Sequence, residues 1–178
     1  GLLFSVVLRP QLEQRYYGRI ALAAGLGIAL VLIDEFSIPA RVKWPNDILI
    51  SSKKCCGILV EASNDSVVLG VGLNVLNAPR GDEFIAINDV ASEPVSREEI
   101  LALVLAAIMG EVDRCAENFA LQLNRIEAIS YLSGKKITFL SGEQQHQGSV
   151  VGIGEDGSLL VRTNGRLRQF AQASDIQL

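Results

Sequence analysis

The chain has 178 residues, 49% hydrophobic and 20% charged, which is the usage of a globular protein and excludes a disordered tail. That length holds one core plus a small appendage. The net charge of −4 supplies no basic field for nucleic acid, so an anionic ligand has to be met by local cations.

Residues 1–10 read as a strand, because Leu2-Leu3-Phe4-Ser5-Val6-Val7-Leu8 is rich in β-branched and aromatic residues and Pro10 stops it. Residues 14–36 read as a long helix. Its apolar, uncharged stretch at 20–33 is 14 residues long, short of the roughly 20 needed to span a membrane. A helix buried nearly all round is the expectation, with Gly25 and Gly27 allowing close packing on a sheet. Nothing before the first apolar run reads as a signal peptide.

Strands are expected at 41–44, 48–50, 57–62 and 67–75, with Ser51-Ser52-Lys53 and Asn64-Asp65 as turns. A polar loop follows to about residue 94, and within it Phe84-Ile85-Ala86-Ile87 forms an apolar patch able to cover a site. Ser96-Arg97-Glu98-Glu99 is a capping box that opens a helix running to about residue 118. A shorter helix at 122–132 closes on Ser133-Gly134. From residue 135 the pattern becomes short strands at 137–140, 148–153, 158–161 and 167–170, separated by Ser141-Gly142, Glu155-Asp156-Gly157 and Asn164-Gly165. The expected fold is therefore α+β. It is a mainly antiparallel mixed sheet packed by helices (1–133), followed by a small C-terminal β-barrel domain (134–178).

The three cysteines, Cys55, Cys56 and Cys115, have neither metal nor disulfide spacing. They read as small apolar residues in a reduced cytosol, which makes the expected location cytoplasmic. The single histidine, His146, sits among glutamines and is discounted as a triad member or metal ligand.

The polar residues that stand out lie at strand ends between 41 and 74. They are Lys43-Trp44-Pro45-Asn46-Asp47, then Lys53-Lys54-Cys55-Cys56-Gly57-Ile58-Leu59-Val60-Glu61, then Gly70-Val71-Gly72-Leu73-Asn74. Strand ends anchored by a core bring separate polar groups to one rigid place. These three ordered motifs resemble the catalytic core of the biotin protein ligases, the biotin–[acetyl-CoA-carboxylase] ligases. The last 45 residues or so resemble that family's small C-terminal barrel.

The resemblance implies two half-reactions. Biotin and ATP give biotinyl-5'-AMP and pyrophosphate, and a lysine of a biotin carboxyl carrier protein then attacks the anhydride. It also implies Mg2+ accompanying ATP, with no dedicated protein metal site. Lys54 would bridge the biotin carboxylate and the phosphate, although the residues alone also allow a solvated turn lysine, as Lys53 is read. Lys43 would reach the phosphates, while Trp44, pointing to the opposite face, is read as structural. Asn46 and Asp47 would stand on the nucleotide side, and Asp47 would accept a proton from or orient the carrier lysine; an ordinary Pro-Asn-Asp turn is the bland alternative. Gly57, Gly70 and Gly72 would let the backbone approach biotin, or Gly70 would mark a bulge. Asn74 would lie near the phosphates.

The family's Gly/Arg-rich loop, which closes over the adenylate, precedes the first strand and does not appear before Gly1. A catalytically incomplete binding remnant is therefore one alternative, and a lipoate or octanoate transferase of related fold is another. Neither a helix-turn-helix segment nor a membrane partner is expected. A homodimer through the sheet is the family-based expectation.

Overall fold

The computed structural model describes residues 1–63 and 66–178. The Asn64-Asp65 turn lies outside the described residues.

The first sheet has the order β1-β5-β4-β3-β2, made from β1 (Leu2–Leu8), β2 (Ala40–Lys43), β3 (Asp47–Ile50), β4 (Lys53–Ser63) and β5 (Ser66–Leu73). Every named pairing is antiparallel. Two isolated parallel bridges, Val42 with Ser130 and Lys54 with Phe84, add to its margins. Alternation sends Val42, Ile48, Ile58, Leu69 and Val71 into the core. Leu3, Val7 and Leu59 stay exposed at 85%, 61% and 58%. The sheet therefore has one packed face and one open face.

Two helices form the layers behind the packed face: α1 (Gly18–Asp34) lies on β2, β3 and β4, and α2 (Arg97–Ala128) packs against α1. The expected start of the first helix at residue 14 is replaced by a separate 3-10 turn, Gln14–Tyr16. A Cβ on Gly25 would meet the Ile48 and Ile58 side chains at 3.4 and 3.6 Å, as close packing on the sheet requires. Gly27 differs from expectation. Its added Cβ would stand 3.0 Å from the Ala107 backbone, so this glycine serves the contact between the helices. Ser96 caps α2 by accepting from the Glu99 N–H at 3.3 Å, while its hydroxyl donates to Glu98. The break expected at residue 118 is present, because Asn118 leaves helical geometry with φ −156° and ψ 81°. Buried Glu111, before that break, is tied to Gln122 and Arg125 beyond it.

The second sheet has the order β10-β6-β7-β8-β9, from β6 (Lys136–Ser141), β7 (Gln144–Ile153), β8 (Leu159–Thr163), β9 (Arg166–Phe170) and β10 (Ser174–Gln177). No pairing joins β9 to β10 among the described residues, so the antiparallel sheet is consistent with the expected small C-terminal β domain without showing a closed barrel. Phe139 packs edge-on against Phe170 with centroids 4.8 Å apart, and the His146 ring leans on both. That histidine is thus a packing residue.

The two sheets are pinned together around β2. Val42 donates to Ile129 O at 3.0 Å, and Tyr131 donates back to Val42 O at 2.8 Å. Trp44, only 2% exposed, donates its indole N–H to Gly157 O at 2.9 Å, the structural role expected of it. No helix among the described residues is long and apolar enough to cross a membrane.

Candidate active site

A bulge in β4 arranges the site. Ile48 pairs with Cys56 but Leu49 pairs with Lys54, so Cys55 is an extra residue in the ladder. In a regular strand, residues 54 and 57 would point to opposite faces. With one residue inserted they share a face, and a Cβ on Gly57 would sit 3.2 Å from Lys54 Cε and 3.3 Å from Nζ. The same bulge explains how adjacent Cys55 and Cys56 are both buried. Burial pushes the Cys55 thiol up to about 12, helped by the nearby Asp89 carboxylate. Cys56 is raised as well, by burial first and then by Cys55 and Asp47. Neither is a nucleophile at neutral pH.

Lys54 Nζ stands 2.6 Å from Asp47 Oδ1, across the pair in which Asp47 faces Gly57. Asp47 Oδ1 is shielded from water, and the Lys54 ammonium is the partner that meets it. The contact is therefore a close charge pair, set where the two strands bring Asp47 opposite Gly57.

Lys54 lines two hollows. The first, of ≈540 Å³, lies on the open face of the first sheet. Gly57, Gly70 and Gly72 floor it, since Gly57 pairs with Gly72 and Leu59 with Gly70. Its walls are Leu3, Ser5, Asn46 and Leu59. With no side chains on the floor, a flat apolar ligand can lie against the backbone. The second hollow is lined by Lys43, Asp47, Lys54, Glu83, Phe84 and Tyr131, with Ile176 and Leu178 from the C-terminal end. Lys43 Nζ also donates to Ile176 O at 3.4 Å.

Lys43, Asp47 and Lys54 thus converge, and the three glycines form one surface beside them. Asn46 opens onto the glycine-floored hollow, where its Nδ2 donates to Ile58 O at 2.7 Å and its carbonyl accepts from Ile58 N–H at 2.9 Å. Asn74 lines neither hollow. Its Nδ2 donates to the carbonyls of Lys54 and Ile85 at 3.3 and 3.2 Å, tying the 83–87 segment to the start of β4. The apolar patch at 84–87 does border the site: Lys54 N–H donates to Glu83 O at 2.7 Å and Phe84 enters the hollow. Tyr131, Ile176 and Leu178 went unread in the sequence, which carries no local signal for them. Among the described residues no cluster of three or more His, Cys, Asp or Glu is placed to hold a metal ion.

Two family models match the chain. Biotin/lipoate A/B protein ligase family covers residues 1–75, and Biotin protein ligase C terminal domain covers residues 132–178. The bifunctional ligase/repressor BirA of Bacillus subtilis is 27% identical over 190 residues, covering all of this chain and 58% of that protein. The biotin–[acetyl-CoA-carboxylase] ligase of Mycobacterium tuberculosis is 29% identical, with 84% of this chain and 59% of that protein covered. The chain thus spans somewhat more than half the length of these relatives. The solved structure of biotin protein ligase from Aquifex aeolicus in complex with biotin and ATP superposes with a TM-score of 0.84 at 27% identity, covering 98% of this chain and 76% of that one. With both sheets, both helices and the motif-bearing strands matched in this way, the chain belongs to the biotin protein ligase family.

Proposed function

We propose that the chain attaches biotin to a lysine of a biotin carboxyl carrier protein, using ATP and passing through biotinyl-5'-AMP. The observation that carries this reading is the place of Lys54, whose ammonium lines both the glycine-floored hollow and the hollow of Lys43. In the first step a biotin carboxylate oxygen attacks the α-phosphorus and the bond to pyrophosphate breaks. Two anions about 4 Å apart repel by roughly 4 kcal/mol at an effective dielectric near 20. A cation held between them removes that barrier without reorganising. Lys43, in the same hollow, meets the phosphates.

In the second step the carrier's neutral amine attacks the acyl carbon, an amide forms, and the carbon–oxygen bond to AMP breaks. Asp47, shielded from water and paired with Lys54, takes the proton once that ammonium has turned to the ligands. Asn46 and Asn74, expected on the nucleotide side, act through the backbone they hold around Lys54. Mg2+ carried by the triphosphate would screen its charge, with Lys43 beside it and no dedicated metal ligands needed from the chain. The chain is read as two units, 1–133 and 134–178, which the extent of the second family match supports. Dimerisation through the sheet belongs to the same reading, with β1 as its edge.

The test is mass spectrometry of a carrier domain incubated with the chain, Mg-ATP and either biotin or lipoate. The expected result is one biotinylated lysine, no lipoylation, and loss of labelling in Lys54→Ala. Labelling that survives Lys54→Ala overturns the assignment.

A further inference from the structure

A further hollow, of ≈490 Å³, adjoins that of Lys43 and Lys54 and is not used by the chemistry above. Arg41 and Lys135 supply its charge, and Ser51, Ser52, Ser130 and Ser133 supply its hydroxyls. No carboxylate lines it. Neither Arg41 nor Lys135 forms an ion pair among the described residues, and the Lys135 ammonium rests 3.4 Å from the Tyr131 ring centroid. In a chain where Asp and Glu outnumber Lys and Arg by 20 to 16, an acid-free basic hollow is a local exception.

Ser51 and Ser52 also hold φ of 50° and 66°. Hairpin turns of this kind ordinarily use Asn and Gly, so serine keeps two hydroxyls at the rim where local conformation favours other residues. Leu49, Ser52 and Tyr131 are common to both hollows. Arg41 stands two residues before Lys43 on the same side of β2, about 7 Å along the strand.

We propose that this hollow docks the carrier domain by receiving acidic side chains that flank its target lysine. The inference rests on the function proposed above. A lysine reaches about 6 Å beyond its Cα. A carrier whose lysine enters at Lys54 and Asp47 therefore lies against Ser52 and Tyr131, and its neighbouring residues fall on Arg41 and Lys135. The reacting anions are met by Lys54 and Lys43, which leaves these two cations for a macromolecular anion. Attraction of this kind steers encounter and weakens with salt.

The experiment measures affinity of the full chain for an unmodified biotin carboxyl carrier domain at low and high salt. Pyrophosphate formation from biotin and ATP is followed in parallel. Arg41→Glu combined with Lys135→Glu is expected to weaken carrier binding about tenfold or more at low salt and to flatten the salt dependence. Pyrophosphate formation stays within about twofold. Lysine in place of the carrier's flanking acids restores binding to the reversed variant. Arg41→Gln with Lys135→Gln carries the same test if charge reversal perturbs the melt. Unchanged carrier affinity overturns the proposal, and so does a matching fall in pyrophosphate formation, which would give the hollow to the nucleotide. A parent chain that forms no pyrophosphate refutes the enzymatic reading instead, while charge-dependent carrier binding is decided by its own measurement.

Discussion

Gly57→Ala separates the site's chemistry from the fold's stability. The added methyl would sit 3.2 Å from Lys54 Cε, 3.3 Å from Nζ and 3.8 Å from Asp47 Oδ1. Ordinary contact begins at 3.4 Å, so the tip of Lys54 has to give by a few tenths of an ångström, away from the line joining the two hollows. A misplacement approaching 1 Å at a reacting centre is worth up to about 10²-fold in rate. For a displacement of a few tenths of that, we expect adenylate formation to fall by about 3- to 10-fold, read as pyrophosphate release. The backbone at Gly57 is not left-handed, so Ala in this strand should leave stability unchanged or raise it by up to about 1 kcal/mol. Gly70→Ala is the control, because its Cβ meets only ordinary contacts from 3.7 Å outward. It should raise the KM for biotin while leaving kcat near the parent's. Full activity in Gly57→Ala, with an unchanged melt, would refute the idea that the bulge and this glycine together aim Lys54.

Three other outcomes follow from the same geometry. Trp44→Phe orphans the buried Gly157 carbonyl, now 2.9 Å from the indole N–H, and should lower unfolding free energy by about 1–3 kcal/mol in urea; a loss under about 0.5 kcal/mol contradicts that pin. Asn74→Ala removes the amide's bonds to Lys54 O and Ile85 O. Hydrogen exchange should accelerate in residues 83–87 and the KM for ATP should rise, and unaltered exchange there rejects the tie. The buried thiols of Cys55 and Cys115, at about 12 and about 11 against an ordinary 9.0, are held neutral by burial. Folded values above unfolded ones mean that stability is intact below pH 9 and is lost as pH climbs toward 11–12. A thiol reagent at pH 8 should find no cysteine until the chain unfolds, and prompt labelling of the native protein would be the contrary result.

Much of this site was legible because its charged groups sit within one hairpin array. Lys43, Asp47 and Lys54 are close in sequence, and strand pairing alone brings Lys43 opposite Asp47 and Asp47 opposite Gly57. The Cys55 bulge was not legible, since it is a choice of register that two adjacent small residues leave open. Phe84, Tyr131, Ile176 and Leu178 enter from a loop, from beyond α2 and from the C-terminal end, and no periodicity reports such long-range arrivals. Asn74 was expected near the phosphates, and in the structure its amide is spent on carbonyls that the sequence could not position. The second sheet was read in four of its strands. β10 escaped because Ser174–Gln177 lacks apolar alternation and Asp175 turns to φ 50°. Gln14–Tyr16 looked helical but winds as a separate 3-10 turn ahead of α1.

The most direct measurement is a crystal structure of the chain with biotin and a non-hydrolysable ATP analogue. The account predicts biotin on the floor of Gly57, Gly70 and Gly72, the phosphates beside Lys43, and Lys54 Nζ within about 3 Å of both a biotin carboxylate oxygen and an α-phosphate oxygen. Biotin bound elsewhere, or Lys54 still held by Asp47 alone and touching neither ligand, would contradict it.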